Sequence, residues 1–228
     1  MLKIIPIQTG MSHVFLIKHD DGAFLVDTGK SGYGNKIIRA IKSRGTDLKE
    51  LKFIFITHAH YDHAGNAAFL AKKTGAPVII HQSEARYLQQ GSKPLPGGTN
   101  PFFKLLVSAG KRMGSKFSGF EPVIPTVTFT EQLDLSPMFG IEAQIIHTPG
   151  HPLGSSSLLI GENLFVGDTA FNIWMNTIYP LFADNEPQLH QTWRRLLKMD
   201  VDMIYPAHGK RFSMEKFKAA AIRKGIVS

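Results

Sequence analysis

Three histidines and an aspartate fall within six residues of this chain. They are His58, His60, Asp62 and His63, in the run Thr57-His58-Ala59-His60-Tyr61-Asp62-His63-Ala64-Gly65. Neutral imidazole and carboxylate are the nitrogen and oxygen ligands that zinc takes up. A cation held by them turns water into a nucleophile near neutral pH. In an extended segment, residues two apart point the same way, so His58 and His60 can grip one ion. Asp62 and His63 follow a bend and can face a second. The motif comes directly after Phe53-Ile54-Phe55-Ile56, a short apolar run that reads as a buried strand, which gives the ligands a rigid base. Gly65 then permits a tight turn into the next helix.

Three more candidates lie downstream, each at the end of an apolar strand in a Gly/Pro turn. They are His151 in His147-Thr148-Pro149-Gly150-His151, Asp168 in Phe165-Val166-Gly167-Asp168-Thr169, and His208 in Ile204-Tyr205-Pro206-Ala207-His208-Gly209. Strand ends that converge at one edge of a sheet are where sites are built. The elements that must position these groups are short. Alternating, β-branched runs predict strands over 3–7, 14–18 and 23–27, and again over 77–81, 127–130, 142–147, 156–160, 163–166 and 202–205. Helical spacing of apolar residues predicts helices over 35–44, 66–74, 83–90, 102–113, 186–198 and 213–224, with Gly75 as a stop and Ser213 as a cap. Strands in blocks with helices between them give a layered α/β fold of two sheets covered by helices.

Composition sets the outer bounds. The chain has 228 residues, 43% of them hydrophobic and 19% charged, enough to bury a sizeable core and too few charges for long disorder. There is no cysteine, which removes disulfides, thiolate ligands and cysteine nucleophiles. No apolar run approaches the roughly 20 residues that cross a bilayer, and the N-terminus lacks a secretory pattern, so the expected location is cytoplasmic. The net charge of +8 suits anionic partners. It is densest at Lys104, Lys111, Arg112 and Lys116.

The pattern H-x-H-x-D-H with its three downstream elements, in this order, resembles the metallo-β-lactamase superfamily from Asp27 to Gly209. The resemblance implies a four-layered αβ/βα sandwich, here one domain over 1–228, with the site at one edge of two mixed sheets. It implies His58, His60 and His151 on one metal, Asp62, His63 and His208 on a second, and Asp168 bridging both. Asp27, in Asp27-Thr28-Gly29, is read as a residue that fixes the ligand loop through hydrogen bonds. Two departures, Pro152 after the third-motif His151 and Ala207 in Pro206-Ala207-His208-Gly209, remove no ligand. A bridging Asp168 is typical of the hydrolase branches and argues against a true β-lactamase.

Two cations about 3.5–4 Å apart can share one water and lower its pKa from about 15.7 towards 7. The expected nucleophile is that bridging hydroxide, with Asp62 both a ligand and the catalytic residue that orients it or carries its proton. The expected reaction is hydrolysis of an ester, thioester or lactone of a small, partly apolar substrate, with zinc as the first choice of metal and iron or manganese as alternatives. The alternatives are a phosphodiesterase or nuclease of the same superfamily and an iron-dependent oxidoreductase. A substrate-binding lid is expected over about 91–122, with Phe102, Phe103, Leu105, Leu106, Phe117 and Phe120. A second wall is expected over 171–184, with Trp174, Met175, Tyr179 and Phe182. The same aromatic surfaces suit a homodimer contact, and the basic residues suit an anionic head group or a membrane surface. No inserted domain of the size usual in the nucleases is evident, which disfavours nucleic acid as partner.

Overall fold

Strand β2 (Ser12–His19) shows why the chain stacks in layers. Its side chains alternate, Val14 and Leu16 to one face and Phe15 and Ile17 to the other, and all four are buried. A strand with two apolar faces needs a partner layer on each. The computed structural model describes residues 2–20, 22–103, 105, 107, 119–173 and 177–228. Two six-stranded sheets result. The first runs in the order β1 (Lys3–Thr9), β2, β3 (Gly22–Val26), β4 (Leu51–Phe55), β5 (Val78–His81), β6 (Val127–Phe129). The second runs β12 (Phe212–Ser213), β11 (Met203–Pro206), β10 (Asn163–Gly167), β9 (Ser156–Ile160), β8 (Gln144–His147), β7 (Gln132–Asp134).

Between the sheets lies an aromatic-rich layer. Phe15, Phe24, Phe53 and Phe55 of the first sheet meet Ile145, Leu158, Phe165 and Tyr205 of the second. On the outer face of the first sheet, Ile37 and Ile41 of helix α1 (Gly34–Ser43), Leu70 of α3 (Ala67–Thr74) and Leu88 of α4 (Gln82–Gln90) cover Val14, Leu25, Ile54 and Ile80. On the outer face of the second, Leu189, Trp193 and Leu196 of α6 (Glu186–Leu196) and Phe217 of α7 (Met214–Arg223) cover Leu164, Val166 and Ile204. Each such buried side chain contributes about 1.5–3 kcal/mol. This is the αβ/βα arrangement expected from the sequence.

Several short elements escaped the pattern reading: β7, β12, the four-residue helices α2 (Tyr61–Ala64) and α5 (Ser136–Phe139), and a 3-10 turn at Leu48–Glu50. Asn66 stands just before α3 as its N-cap rather than inside it. Most of the helix expected over 102–113 lies outside the described residues, as do Lys104, Leu106, Lys111, Arg112, Lys116, Phe117, Trp174 and Met175. Among the described residues, no helix is long and apolar enough to cross a membrane.

The pairing positions the site. Strands β3 and β4 are parallel, as are β10 and β11, so Asp27 ends beside Thr57 and Asp168 ends near His208. Carboxyl ends of neighbouring parallel strands open a crevice at a sheet edge. Helix α6 braces it. Trp193 Nε1 donates to Thr169 O at 2.8 Å and Thr192 Oγ1 to Pro149 O at 2.7 Å, which fixes the turns carrying Asp168 and His151.

Candidate metal centre

All seven sequence-derived candidates meet at that edge. His58 leaves β4, His60 caps α2, Asp62 and His63 lie within α2, and His151, Asp168 and His208 follow β8, β10 and β11. The bend expected before Asp62 is thus one helical turn. Gly65 has an ordinary right-handed backbone, so the turn does not need glycine's freedom. It needs its size, because a Cβ there would overlap backbone atoms of Gly29, Ser31 and Tyr61.

Asp168 lies at the centre. Its Oδ2 is 3.3 Å from His151 Nε2 and 4.0 Å from His58 Nε2, while its Oδ1 is 3.3 Å from both His63 Nε2 and His208 Nε2. His60 Nδ1 lies 3.3 Å from His151 Nε2. Asp62 Oδ2 lies 3.5 Å from His208 Nε2, and Asp62 Oδ1 lies 3.9 Å from His63 Nε2. Two three-residue groups able to hold an ion follow, His58–His60–His151 and Asp62–His63–His208, with a third, His58–His63–Asp168, between them. His58 Nε2, His63 Nε2 and Asp168 Oδ1 are buried without a hydrogen-bond partner. Buried polar atoms of this kind are rare in folded proteins, and a divalent cation is the group that several inward-aimed nitrogen and oxygen atoms fit.

The outer nitrogens are held in turn. His63 Nδ1 lies 2.8 Å from Asp27 Oδ2, His58 Nδ1 lies 3.1 Å from Thr57 Oγ1, His151 Nδ1 donates to Phe182 O at 2.8 Å, and His208 Nδ1 donates to Met11 O at 3.0 Å. Such bonds set tautomer and ring orientation and leave the other nitrogen facing the centre. Asp27 also accepts from Thr57 N at 2.8 Å and from Thr57 Oγ1 at 3.0 Å.

Electrostatics divides the imidazoles. Burial, reinforced by neighbouring imidazoles, holds His58 and His60 well below the usual histidine value. Burial also lowers His151, against the pull of Asp168. At His63 burial opposes charge, but Asp168, Asp27 and Asp62 together outweigh it and hold the group well above its usual value. His208 is raised in the same way, mainly by Asp168 against its burial. Burial would raise Asp168, yet His208, His63 and His151 hold it well below the usual carboxylate range. An ionised carboxylate set among imidazoles suits cation binding.

A cavity of about 360 Å³ opens over the centre, with Leu95, Val107, Phe171, Ile173, Leu181 and Phe182 in its walls and Asp62 and Asp168 as its acidic residues. Lys30, with Tyr33, lines another part of it and is its lysine among the described residues. The two loops expected to wall the site are therefore represented, but not by every aromatic. Tyr179 packs in the outer core beside Trp193, and Phe120 packs against the first sheet's outer core. Phe102 and Leu105 are exposed.

The sequence model of the metallo-beta-lactamase superfamily matches residues 7–208. The chain belongs to that superfamily. Within it, the chain is similar to a Methanocaldococcus jannaschii protein named "Probable metallo-hydrolase", at 27% identity over 82% of each chain. It is similar to hydroxyacylglutathione hydrolase GloC of Haemophilus influenzae, at 25% identity over 91% of this chain and 90% of the other. Among solved structures, the di-iron-bound form of TTHA1623 superposes with a TM-score of 0.68 at 22% identity, covering 96% of this chain and 97% of the other, a likeness of fold. Superfamily membership makes the chain a metallo-hydrolase in the broad sense, with histidine and aspartate groups able to hold divalent metal.

Sequence reasoning missed the pieces of this site that carry no metal-ligand signature. Ser12 Oγ donates to Asp62 O at 2.7 Å, from the turn that also supplies Met11 O. Glu84 Oε2 accepts from Ala59 N at 3.0 Å. A lone serine at a hairpin turn and a glutamate in the first turn of a helix look like ordinary surface residues, and nothing in their spacing points inward.

Proposed function

We propose that this chain is a dinuclear metallo-hydrolase that cleaves a carboxylic ester, thioester or lactone bearing an apolar acyl part, with Asp168 shared between its two ions. The observation that carries the reading is the division of Asp168, whose two oxygens face different histidine groups at 3.3 Å. Leaving buried polar atoms unpaired costs about 1–3 kcal/mol each, a cost that ligation removes. His58, His60 and His151 would hold one ion and Asp62, His63 and His208 the other. An all-nitrogen-and-oxygen set suits zinc, and also iron or manganese. Bound there, the ions would supply Lewis acidity towards a carbonyl oxygen and make water acidic enough to ionise near neutral pH.

The chain's own residues do the rest. Asp62, with its side chain 20% exposed against 7% for Asp168, is the acid at the cavity that can pass a proton to solvent. Apolar walls at Leu95, Val107, Phe171 and Phe182 hold an acyl arm and exclude water, and the stretch over about 91–122 contributes part of them. Lys30 and Tyr33 are suited to an anionic end of the substrate. The relatives named hydroxyacylglutathione hydrolase support a thioester within this class. Apolar walls favour an acyl substrate over a phosphodiester.

The test couples elemental analysis of the purified protein to a panel of thioesters, lactones and phosphodiesters. Two metal equivalents with acyl-bond turnover are expected. Phosphodiester turnover alone, or iron with oxygen consumption, would replace this reading with one of its rivals.

A further inference from the structure

One buried ion pair beside the centre is unused by the reaction. Glu84, in the first turn of α4, is 1% exposed, and Lys93, in the loop after it, is 4% exposed. Lys93 Nζ lies 2.5 Å from both carboxylate oxygens and 4.8 Å from the centre of the Tyr87 ring. Taking two charges out of water is costly, and an apolar pair of the same size is often as stable or more so. Stability therefore does not account for the pair.

Its contacts do. Glu84 Oε2 accepts from the backbone N–H of Ala59, the fully buried residue between His58 and His60. On its other side Glu84 meets the turn after His151. A Cβ on Gly154 would lie 2.5 Å from Glu84 Cγ and would overlap Ser83 Oγ. Glu84 thus touches both segments that supply the His58–His60–His151 group. Lys93 extends the same strut outwards. Its loop continues into Leu95 and Pro96 in the cavity wall, then to Gly97, whose O accepts from Ala183 N at 2.8 Å. Asp184, the next residue, donates from its N to His151 O at 2.9 Å. Among the described residues, Asp62, His63 and His208 have no direct bond to either member of the pair.

We propose that Glu84 and Lys93 are positioning residues that set the spacing of the His58–His60–His151 group, so that they govern ion binding there and leave the Asp62–His63–His208 group unaffected. This rests on the dinuclear reading above. The Glu84 carboxylate accepts from the Ala59 N–H at 3.0 Å, and Lys93 Nζ, 2.5 Å from both of its oxygens, keeps it aimed.

The experiment is a zinc titration of the metal-stripped protein against a chromophoric chelator, with thermal unfolding alongside. Substituting one member alone strands a buried charge, so the variant is the double substitution Glu84→Met with Lys93→Met. Wild type should take up two ions. The Met pair should melt cooperatively, bind one ion at least tenfold more weakly, the range seen when outer partners of metal ligands are removed, and keep the other within threefold. Glu84→Gln with Lys93→Met, which retains an acceptor for Ala59, should recover most of the loss. A folded Met pair with both affinities intact overturns the proposal. So does a Met pair without a cooperative transition, which would make the strut a requirement of folding. A wild-type chain that binds no ion would instead sink the dinuclear reading itself.

Discussion

Asp27 and His63 stand 36 residues apart in sequence and meet at 2.8 Å, carboxylate Oδ2 to imidazole Nδ1, both fully enclosed by the fold. Asp27 reaches this position with φ of +62°, the one non-glycine residue among those described with positive φ. Such a conformation is rare outside glycine, asparagine and aspartate, and persists where surrounding contacts over-determine it. Here they do, because the same carboxylate also binds both donors of Thr57. Asp27→Ala should cost about 3 kcal/mol in denaturant unfolding, since it leaves buried donors unpaired and keeps the strained backbone. Asp27→Asn, which tolerates that backbone, should stay folded but bind metal roughly 10–100-fold more weakly. Equal metal affinity for Asp27→Asn and wild type would show that the bond does not orient His63.

Asp168→Ala removes the carboxylate that faces both histidine groups. Metal content should fall to one equivalent or less, and turnover should fall more than about 100-fold, beyond the usual loss from an outer partner. Far-ultraviolet circular dichroism should match wild type, because the strand ends are held by backbone pairing and by Trp193. Wild-type metal content and rate would remove Asp168 from between the ions.

Chelation gives a stability test independent of any substrate. An ion that binds only the folded chain stabilises it by about 4 kcal/mol at a thousand times its dissociation constant, which for a chain of this size is roughly 10 °C in Tm. Scanning calorimetry with and without a strong chelator should show a fall of that order, restored by added metal. No change would mean that the buried, unpaired nitrogens of His58 and His63 do not take ions.

How much of this could be read beforehand depended on the kind of signal. Metal chemistry restricts both residue type and spacing, so His58, His60, Asp62 and His63 stood out and their meeting with His151, Asp168 and His208 could be anticipated. Alternating apolar strands such as β2 announced the layers, since a face that is buried on both sides must be apolar on both. Aromatic residues in loops carried no such constraint. Phe182 lines the cavity while Tyr179, three residues earlier, packs against Trp193. Glu84 and Lys93 could not be found at all, because a single acid in a helix and a single lysine in a loop are the commonest surface residues. Only tertiary packing reveals that they are buried together.

Gly209 provides a steric test of the His208 turn. Its φ is +97°, and an added Cβ would overlap the backbone carbonyl of Asn172, whose N–H donates to His208 O at 2.9 Å. Backbone cannot swing aside as a side-chain end can. Gly209→Ala should therefore cost about 3 kcal/mol or more from overpacking and dihedral strain together. It should also weaken binding at the Asp62–His63–His208 group. Gly32→Ala, another positive-φ glycine but with open space around its Cβ, should show the dihedral cost alone and bind metal normally. Equal unfolding midpoints for the two variants would contradict the steric account.

Lys30 tests the substrate rather than the ions. Apart from the centre and the uncharged polar groups of Thr9, Tyr33 and Tyr61, its cavity offers apolar walls, so an anionic end of an acyl substrate has this lysine as its counter-charge among the described residues. Lys30→Gln should raise KM about tenfold for thioesters or lactones carrying a distal carboxylate, the loss of one charge-assisted contact. For neutral substrates of the same length KM should be unchanged. Because Lys30 touches none of the seven candidate ligands by hydrogen bond or ion pair, kcat should hold for both series. A parallel rise in KM for neutral and anionic substrates would show that Lys30 shapes the cavity without reading charge. An equal fall in kcat would place it at the reacting bond instead.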